Sequence, residues 1–542
     1  MNIKKYILLA GTPLLFASTA MLTGCMDSEP LGSNVTSDQK KTNAEENPDR
    51  LEAGVAGIAA NFSQYMANFS SQHSDFGYPS IMLHLEHRGV DLVSRDNGYN
   101  WFGYSYTYDN VNNTYRNDVE IWGTLYKQIF SANSVMQSVD STSTDPQIQY
   151  YMAQALTFRA FDYFQLTQIY QKTYSQVDPS TTGTVPYITE ANATTVASEG
   201  CPREPMDKMY EHILSDLTKA INLLDASGVK RSDKRYVNSS VAHGIRARVY
   251  LVLNQWANAA ADAEYVINNS GATPKTLAET GVPSFNSIDE NDWLWGIKIA
   301  ETDDVVQSGI VNFPSHMGSL CYGYASAGCA RGCNKKLYNS IPSSDRRKNW
   351  FCDANNVGAT LTSEQQEYID SYNGDPTASS YVPYLQVKYA PYKNVVGQST
   401  NASDIPLMRI EEMYYIKAEA QAMAGNVQEG VNTLVNFVRT YRDPAYSFHA
   451  SSGTDVQNEV FQQRRIELWG EGLIWFDYVR LNKDFDRRGG GFEALYCYNI
   501  PSNSYTAIWP IPYSEVQYNK QITEEQNNPS VSKPTAVADD EE

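Results

Sequence analysis

The sequence predicts a mainly α fold, a scaffold of paired helices interrupted by one long loop-rich insertion. Three observations predict it. Apolar residues recur at steps of three and four over several long stretches, the period that lines one face of a helix. Many alanines fall where neighbouring stripes would meet, as close approach of two helices requires. Residues 271–403 break the pattern and are rich in Gly, Ser, Asn, Pro and Tyr. With 42% hydrophobic and 19% charged residues in 542, the chain can bury a large core and is neither disordered nor collagen-like.

The elements follow in chain order. Lys4 and Lys5 precede an uncharged apolar run, Ile7 to Ala20, that ends in Leu22-Thr23-Gly24-Cys25. That order reads as a signal peptide over 1–24 rather than a membrane span. Leu-Thr-Gly-Cys resembles the lipobox of bacterial lipoproteins, which implies that Cys25 carries several acyl chains and anchors the protein to a membrane. Residues 25–48 are polar and aperiodic, a lipidated flexible tether.

A domain over 49–522 comes next. Trp122, Leu125, Ile129, Ala132, Met136 and Val139 make the first apolar stripe. Residues 147–170 form an aromatic-loaded helix with Phe158, Phe161, Tyr163 and Phe164. Ala242 to Val252 and Trp256 to Ile267 form a pair broken near Asn254. Met413 to Met423 stops at Gly425-Asn426, and Val431 to Val438 returns. These are degenerate tetratricopeptide-type hairpins, since no strict 34-residue period survives. Within the insertion, Trp293 to Ile299 is strand-like, and a long irregular segment in a compact protein is usually functional. Residues 523–542 are polar and acidic, a disordered tail.

A net charge of −20 repels phosphate backbones and argues against a nucleic-acid partner. The 38 Tyr outnumber 18 Phe and 9 Trp, and amphipathic rings suit half-wet binding surfaces. Six further cysteines (201, 321, 329, 333, 352 and 497) allow disulfides or buried thiols, and their spacing fits no zinc module. No metal or other cofactor is expected.

Catalytic constellations are missing. His84-Leu-Glu-His87 lacks the spacing of a zinc-protease helix, and no Gly-x-Ser-x-Gly elbow occurs. Arg487-Arg-Gly-Gly-Gly-Phe492 lacks the lysine of a phosphate loop. Glu467 and Glu471 lie one turn apart among Arg464, Arg465 and Arg480, which reads as a structural ion network, as do Glu411 and Glu412. A glycosidase would place its two carboxylates across a cleft. Binding is favoured over catalysis.

Five segments in order resemble the SusD/RagB family of outer-membrane nutrient-binding lipoproteins. They are Ile121 to Asn133; Ala153 to Phe164 with Val185-Pro-Tyr187; Asp404 to Ala420; Arg464 to Gly472 with Trp475-Phe-Asp477 and Arg480; and Pro510-Ile-Pro512 with Glu515. The resemblance implies four tetratricopeptide-like pairs, a variable loop-rich face, and attachment to the outer membrane facing the cell exterior. It implies a SusC-like TonB-dependent transporter as partner, with the lipoprotein as its lid. The implied ligand is an oligosaccharide, in some members a peptide, and no catalytic role is implied. A surface-anchored glycoside hydrolase and a tetratricopeptide adaptor are the competing readings.

Sugar sites combine flat aromatics with short polar groups, and Asp96 to Tyr108 is the densest such stretch. In the family the loop before the Trp122 helix contributes to the ligand face. That match nominates Asn97, Tyr99, Asn100 and Trp101. Tyr322, Tyr324 and Arg331 in the insertion are the second set, with Tyr389 and Tyr392 as weaker candidates.

Overall fold

The computed structural model describes residues 49–66, 73–109, 111–373 and 381–540. The signal peptide, Cys25 and the tether lie outside the described residues.

Eight helices make the scaffold: α1 (Arg116–Gln137), α2 (Pro146–Tyr170), α3 (Met206–Ser227), α4 (Ser239–Val252), α5 (Trp256–Asn269), α6 (Ile410–Met423), α7 (Val427–Tyr441) and α8 (Gly453–Glu467). Their ends are written in the sequence. Asp145 caps α2 by accepting from the Gln147 and Ile148 amides at 2.8 and 3.0 Å, with Pro146 at the first helical position. Asn238 caps α4, and Ser452 and Asp455 form a reciprocal capping box on α8. Gly228 ends α3 in the left-handed conformation, and Gly425 does the same in the turn after α6.

Each helix packs on the next; α1 to α6 bury into the main core, and α6, α7 and α8 enclose a smaller one around Leu434, Phe437 and Val460. Small residues set the closest approaches. A Cβ on Gly430 of α7 would come within 2.5 Å of the Ala418 carbonyl oxygen of α6, and one on Gly244 of α4 within 2.5 Å of Met408 Sδ. The predicted helix stripes coincide with these helices, and Asn254, at the predicted break, has positive φ.

The insertion lies between α5 and α6, which pack on each other. Its neck is closed by an antiparallel ladder of Trp293–Ile297 on Ile405–Arg409, with Ile297 opposite Ile405 and Trp293 opposite Arg409. Beyond the neck it is short helices and bridges around a small core of Leu320, Ala330, Ile369 and Leu385, shared with Val93, Tyr106 and Phe492 from outside it. A buried ion network joins it to the scaffold. Arg347 reaches Asp345 and Glu467, Lys388 reaches Glu471, Arg409 spans Glu467 and Glu471, and Arg442 spans Glu411 and Glu467. Every group is nearly or wholly buried, so each charge depends on its partners.

The C-terminal segment departs from the expectation of a disordered tail. Asn528 donates to the Trp509 carbonyl at 2.8 Å, the Val531 amide to Val111 at 3.0 Å and the Val537 amide to Cys497 at 2.8 Å. Asp540 accepts from Lys336 at 2.7 Å. Its polar composition serves hydrogen bonds to the body rather than hydration alone.

Candidate functional site

The loop before α1 is shaped by its own asparagines. Asn97 Oδ1 accepts from the Tyr99 amide at 2.9 Å, while Asn100 donates to the Arg95 carbonyl at 2.8 Å and accepts from the Phe102 amide at 3.2 Å. Such side-chain bonds hold a loop where no ladder can. A cleft of about 470 Å³ opens beside it, lined by Asn97, Asn100 and Trp101 on one side. Tyr104, Tyr115 and Arg116 also line it, with Asp96 and Asp109. Tyr104 is 55% exposed, and its ring centroid lies 5.7 Å from that of Tyr115.

The insertion supplies the neighbouring wall. A two-residue ladder sets Leu92 opposite Cys333 and Val93 opposite Gly332, which brings the two nominated segments together. Asn97 then donates to the Gly328 carbonyl at 2.8 Å. Trp101 packs on His73 at 4.4 Å between ring centroids and lies 6.4 Å from Tyr324, whose hydroxyl is bonded to His73.

Beneath lies a layer of neutral imidazoles. His316 stacks between Tyr324 at 4.6 Å and Phe76 at 5.5 Å, and His87 stacks on Phe102 at 5.3 Å. Burial, with the Arg331 guanidinium nearby, holds His87 and His316 well below the usual histidine range. Burial, with Arg88 nearby, takes His84 down to about 3. The His84–His87 pair is therefore core, and it supports the platform from below.

The nominated residues divide. Asn97, Asn100 and Trp101 line the cleft. Tyr99 is 58% exposed beside it, its ring packed on Gly328. Tyr322 is exposed on the insertion but does not line the cleft. Arg331 and Tyr324, nominated from the sequence, are buried and do not line the cleft. Arg331 is 0% exposed and donates to Ser94 Oγ at 2.8 Å and to the Cys329 carbonyl. It pins the second segment from inside and has no surface to offer a ligand. Tyr324 is 5% exposed and carries Trp101 and His73 from behind. Tyr389 is also buried, donating to the Gly470 carbonyl at 2.8 Å.

Tyr104, Tyr115 and Arg116 were not singled out from the sequence. Tyr104 stood inside the densest aromatic stretch, so composition could have found it. Tyr115 and Arg116 open α1, and only the fold returns them to the loop.

Two other features bear on chemistry. A second concavity of about 330 Å³ lies on α1 among Trp122, Tyr126 and Phe130. Its polar groups are committed, Asn133 to Arg159 and Ile188, and Glu190 to Arg159. It offers little hydrogen bonding to a hydroxyl-rich ligand. Glu467 and Glu471 are held by arginines and a lysine that keep both carboxyls below the usual range despite burial. Neither faces an open cleft. All six cysteines downstream of Cys25 are buried and unpaired. Among the described residues no group of three His, Cys, Asp or Glu is placed to hold a metal ion, and no helix is long and apolar enough to cross a membrane.

Two family models match, leaving residues 252–323 between them. The model described as the SusD family covers residues 324–530, and that described as "Starch-binding associating with outer membrane" covers 46–251. SusD-like protein P2 of Formosa agariphila is 24% identical over 417 residues, 70% of this chain and 76% of that one. Among solved structures, a SusD-like carbohydrate binding protein from Bacteroides vulgatus superposes with a TM-score of 0.71 at 22% identity, covering 89% of this chain and 98% of that one. Surface glycan-binding protein A from Bacteroides thetaiotaomicron, solved with laminarihexaose, gives 0.62 at 15% identity, covering 89% and 99%. At these identities the superpositions establish the fold.

Proposed function

Since the chain belongs to the SusD/RagB family, we propose that it is an outer-membrane lipoprotein, anchored through Cys25 and facing the cell exterior. It captures oligosaccharide in the cleft before α1 and passes it to a SusC-like TonB-dependent transporter, over which it acts as a lid. It performs no catalysis.

One observation carries the reading. The cleft sets aromatic rings (Trp101, Tyr104, Tyr115) beside short polar groups (Asn97, Asn100, Asp96, Asp109). Ring faces pack on the apolar faces of sugars while amides and carboxylates meet the hydroxyls. The family model's own description and the laminarihexaose complex of the B. thetaiotaomicron relative support the same ligand class. The saturated Glu467 and Glu471 support binding without hydrolysis.

Calorimetry of the mature protein against laminarin, starch and a peptide library tests the ligand. Saturable binding of a polysaccharide, left uncleaved by mass spectrometry, is the expected result; binding of peptides alone overturns it. Detergent extraction from the source cell tests the partner, which should co-purify as a barrel. Cys25→Ala should release the protein from the outer-membrane fraction.

A further inference from the structure

Both carboxylates of the cleft are held by groups that lie far along the chain. Asp96 Oδ2 accepts from the Tyr496 hydroxyl at 2.6 Å. Asp109 Oδ2 accepts from Thr107 Oγ1 at 2.7 Å and from Lys533 Nζ at 3.2 Å. The two distant holders meet, since Lys533 Nζ stands 5.3 Å from the centre of the Tyr496 ring. Among the described residues no bond reaches Oδ1 of either carboxylate.

The path of the C-terminal segment brings Lys533 there. It is the one basic residue in 523–542, and Pro534 behind it favours an extended backbone. Before it, the Val531 amide donates to the Val111 carbonyl at 3.0 Å, and Ser530 Oγ accepts from the Asn113 amide at 3.2 Å. After it, the Val537 amide donates at 2.8 Å to the carbonyl of Cys497, next to Tyr496. The segment is thus tied first near Asp109 and then beside Tyr496, with Lys533 between the ties.

A carboxylate with one oxygen fixed no longer turns freely, so its other oxygen keeps one direction as an acceptor. An acceptor held in place before the ligand arrives saves the cost of ordering it on binding. Two such acceptors beside Trp101 and Tyr104 suit the hydroxyls of a stacked sugar.

We propose that Tyr496 and Lys533 are positioning residues of the cleft, turning Asp96 and Asp109 so that Oδ1 of each accepts from a sugar hydroxyl. This rests on the glycan reading above and deepens it. Neither residue lines the cleft, so both act through the carboxylates.

Calorimetry of the mature protein with laminarin and with starch tests it, on whichever polysaccharide the natural chain binds. Tyr496→Phe keeps the ring against Tyr106, 5.7 Å between centroids, and loses only the hydroxyl. Lys533→Met keeps the length and loses the charge. Each should weaken binding at least about threefold, with the melting temperature within a few degrees, because exposed pairs add little to stability. Lys533→Arg should restore affinity to within about twofold, since a guanidinium donates to a carboxylate as an ammonium does. In an Asp109→Ala background, Lys533→Met should cost nothing further. A loss that persists there means that Lys533 does not act through Asp109 and overturns the positioning role, as does unchanged affinity in the two single variants. Should one single variant not fold, the other decides. If the natural chain binds neither polysaccharide, the glycan reading falls and takes this inference with it.

Discussion

The ring of Tyr99 packs so closely on Gly328 that a Cβ on the glycine would lie 2.6 Å from Tyr99 Cγ. Two loops more than 200 residues apart in sequence thus share one contact beside the cleft, fastened by the Asn97 bond to the Gly328 carbonyl. Gly328 lies outside the left-handed region, and the added Cβ would also stand 2.8 Å from Tyr99 Cβ, so Tyr99 as a whole must shift. Gly328→Ala should lower glycan affinity about three- to tenfold, with the melting temperature within a few degrees of the natural chain. Unchanged affinity in calorimetry would detach Tyr99 from the site.

Trp101 is half-buried, with His73 on one side and the cleft on the other. Trp101→Ala should cost on the order of 2 kcal/mol of binding, roughly thirtyfold in affinity. The stability loss should stay below the roughly 3–5 kcal/mol of a fully buried tryptophan. A thermal melt and a titration on the same sample separate the two roles, and a large melting shift with unchanged affinity would make Trp101 mere packing.

Glu467 accepts from Arg409 and Arg442 and pairs with Arg347, all fully buried. Glu467→Gln should destabilise the fold by about 3–5 kcal/mol in urea denaturation, because it leaves buried guanidinium groups without their counter-charge. A variant as stable as the natural chain would refute the network's role in joining insertion to scaffold.

Glu86 is buried in the helix Tyr78–Arg88, accepts from the Gly472 amide at 2.7 Å, and is pushed up to about 8 chiefly by burial. A carboxyl raised above its unfolded value favours the fold fully below about 4.5, and that contribution is lost as pH climbs toward 8. Glu86→Gln has no such loss. Its stability relative to the natural chain should therefore improve between pH 5 and 8, by about 1.4 kcal/mol per unit at most, then level off. A pH-independent difference would mean that Glu86 ionises freely in the folded protein.

The scaffold was legible because helical periodicity and capping residues are local. Asp145-Pro146 and Gly425 mark ends that need only neighbouring residues to be read. The cleft was half legible. The Asn97–Trp101 loop announces itself by composition, yet Tyr115 joins it only through the path of the chain. Burial was not legible at all: nothing near Arg331 in sequence says that Ser94 will meet its guanidinium. Nor does an acidic tail announce that Asn528 will find the Trp509 carbonyl.

The insertion separates two packed helices, so α5 and α6 are joined by residues 270–409 where α4 and α5 are joined by three. Closing the longer connection costs roughly 3 kcal/mol more in chain entropy, and the neck ladder repays it only once both strands exist. Folding should then be staggered in time. The helices through α5 depend on nearby partners and can assemble as the chain emerges, whereas α6 must wait for some 140 residues to be delivered before its partner's face is covered. Between those moments the apolar side of α5 that α6 will cover stands open, and it is there that an unfinished chain would be most prone to aggregate or be captured by a chaperone.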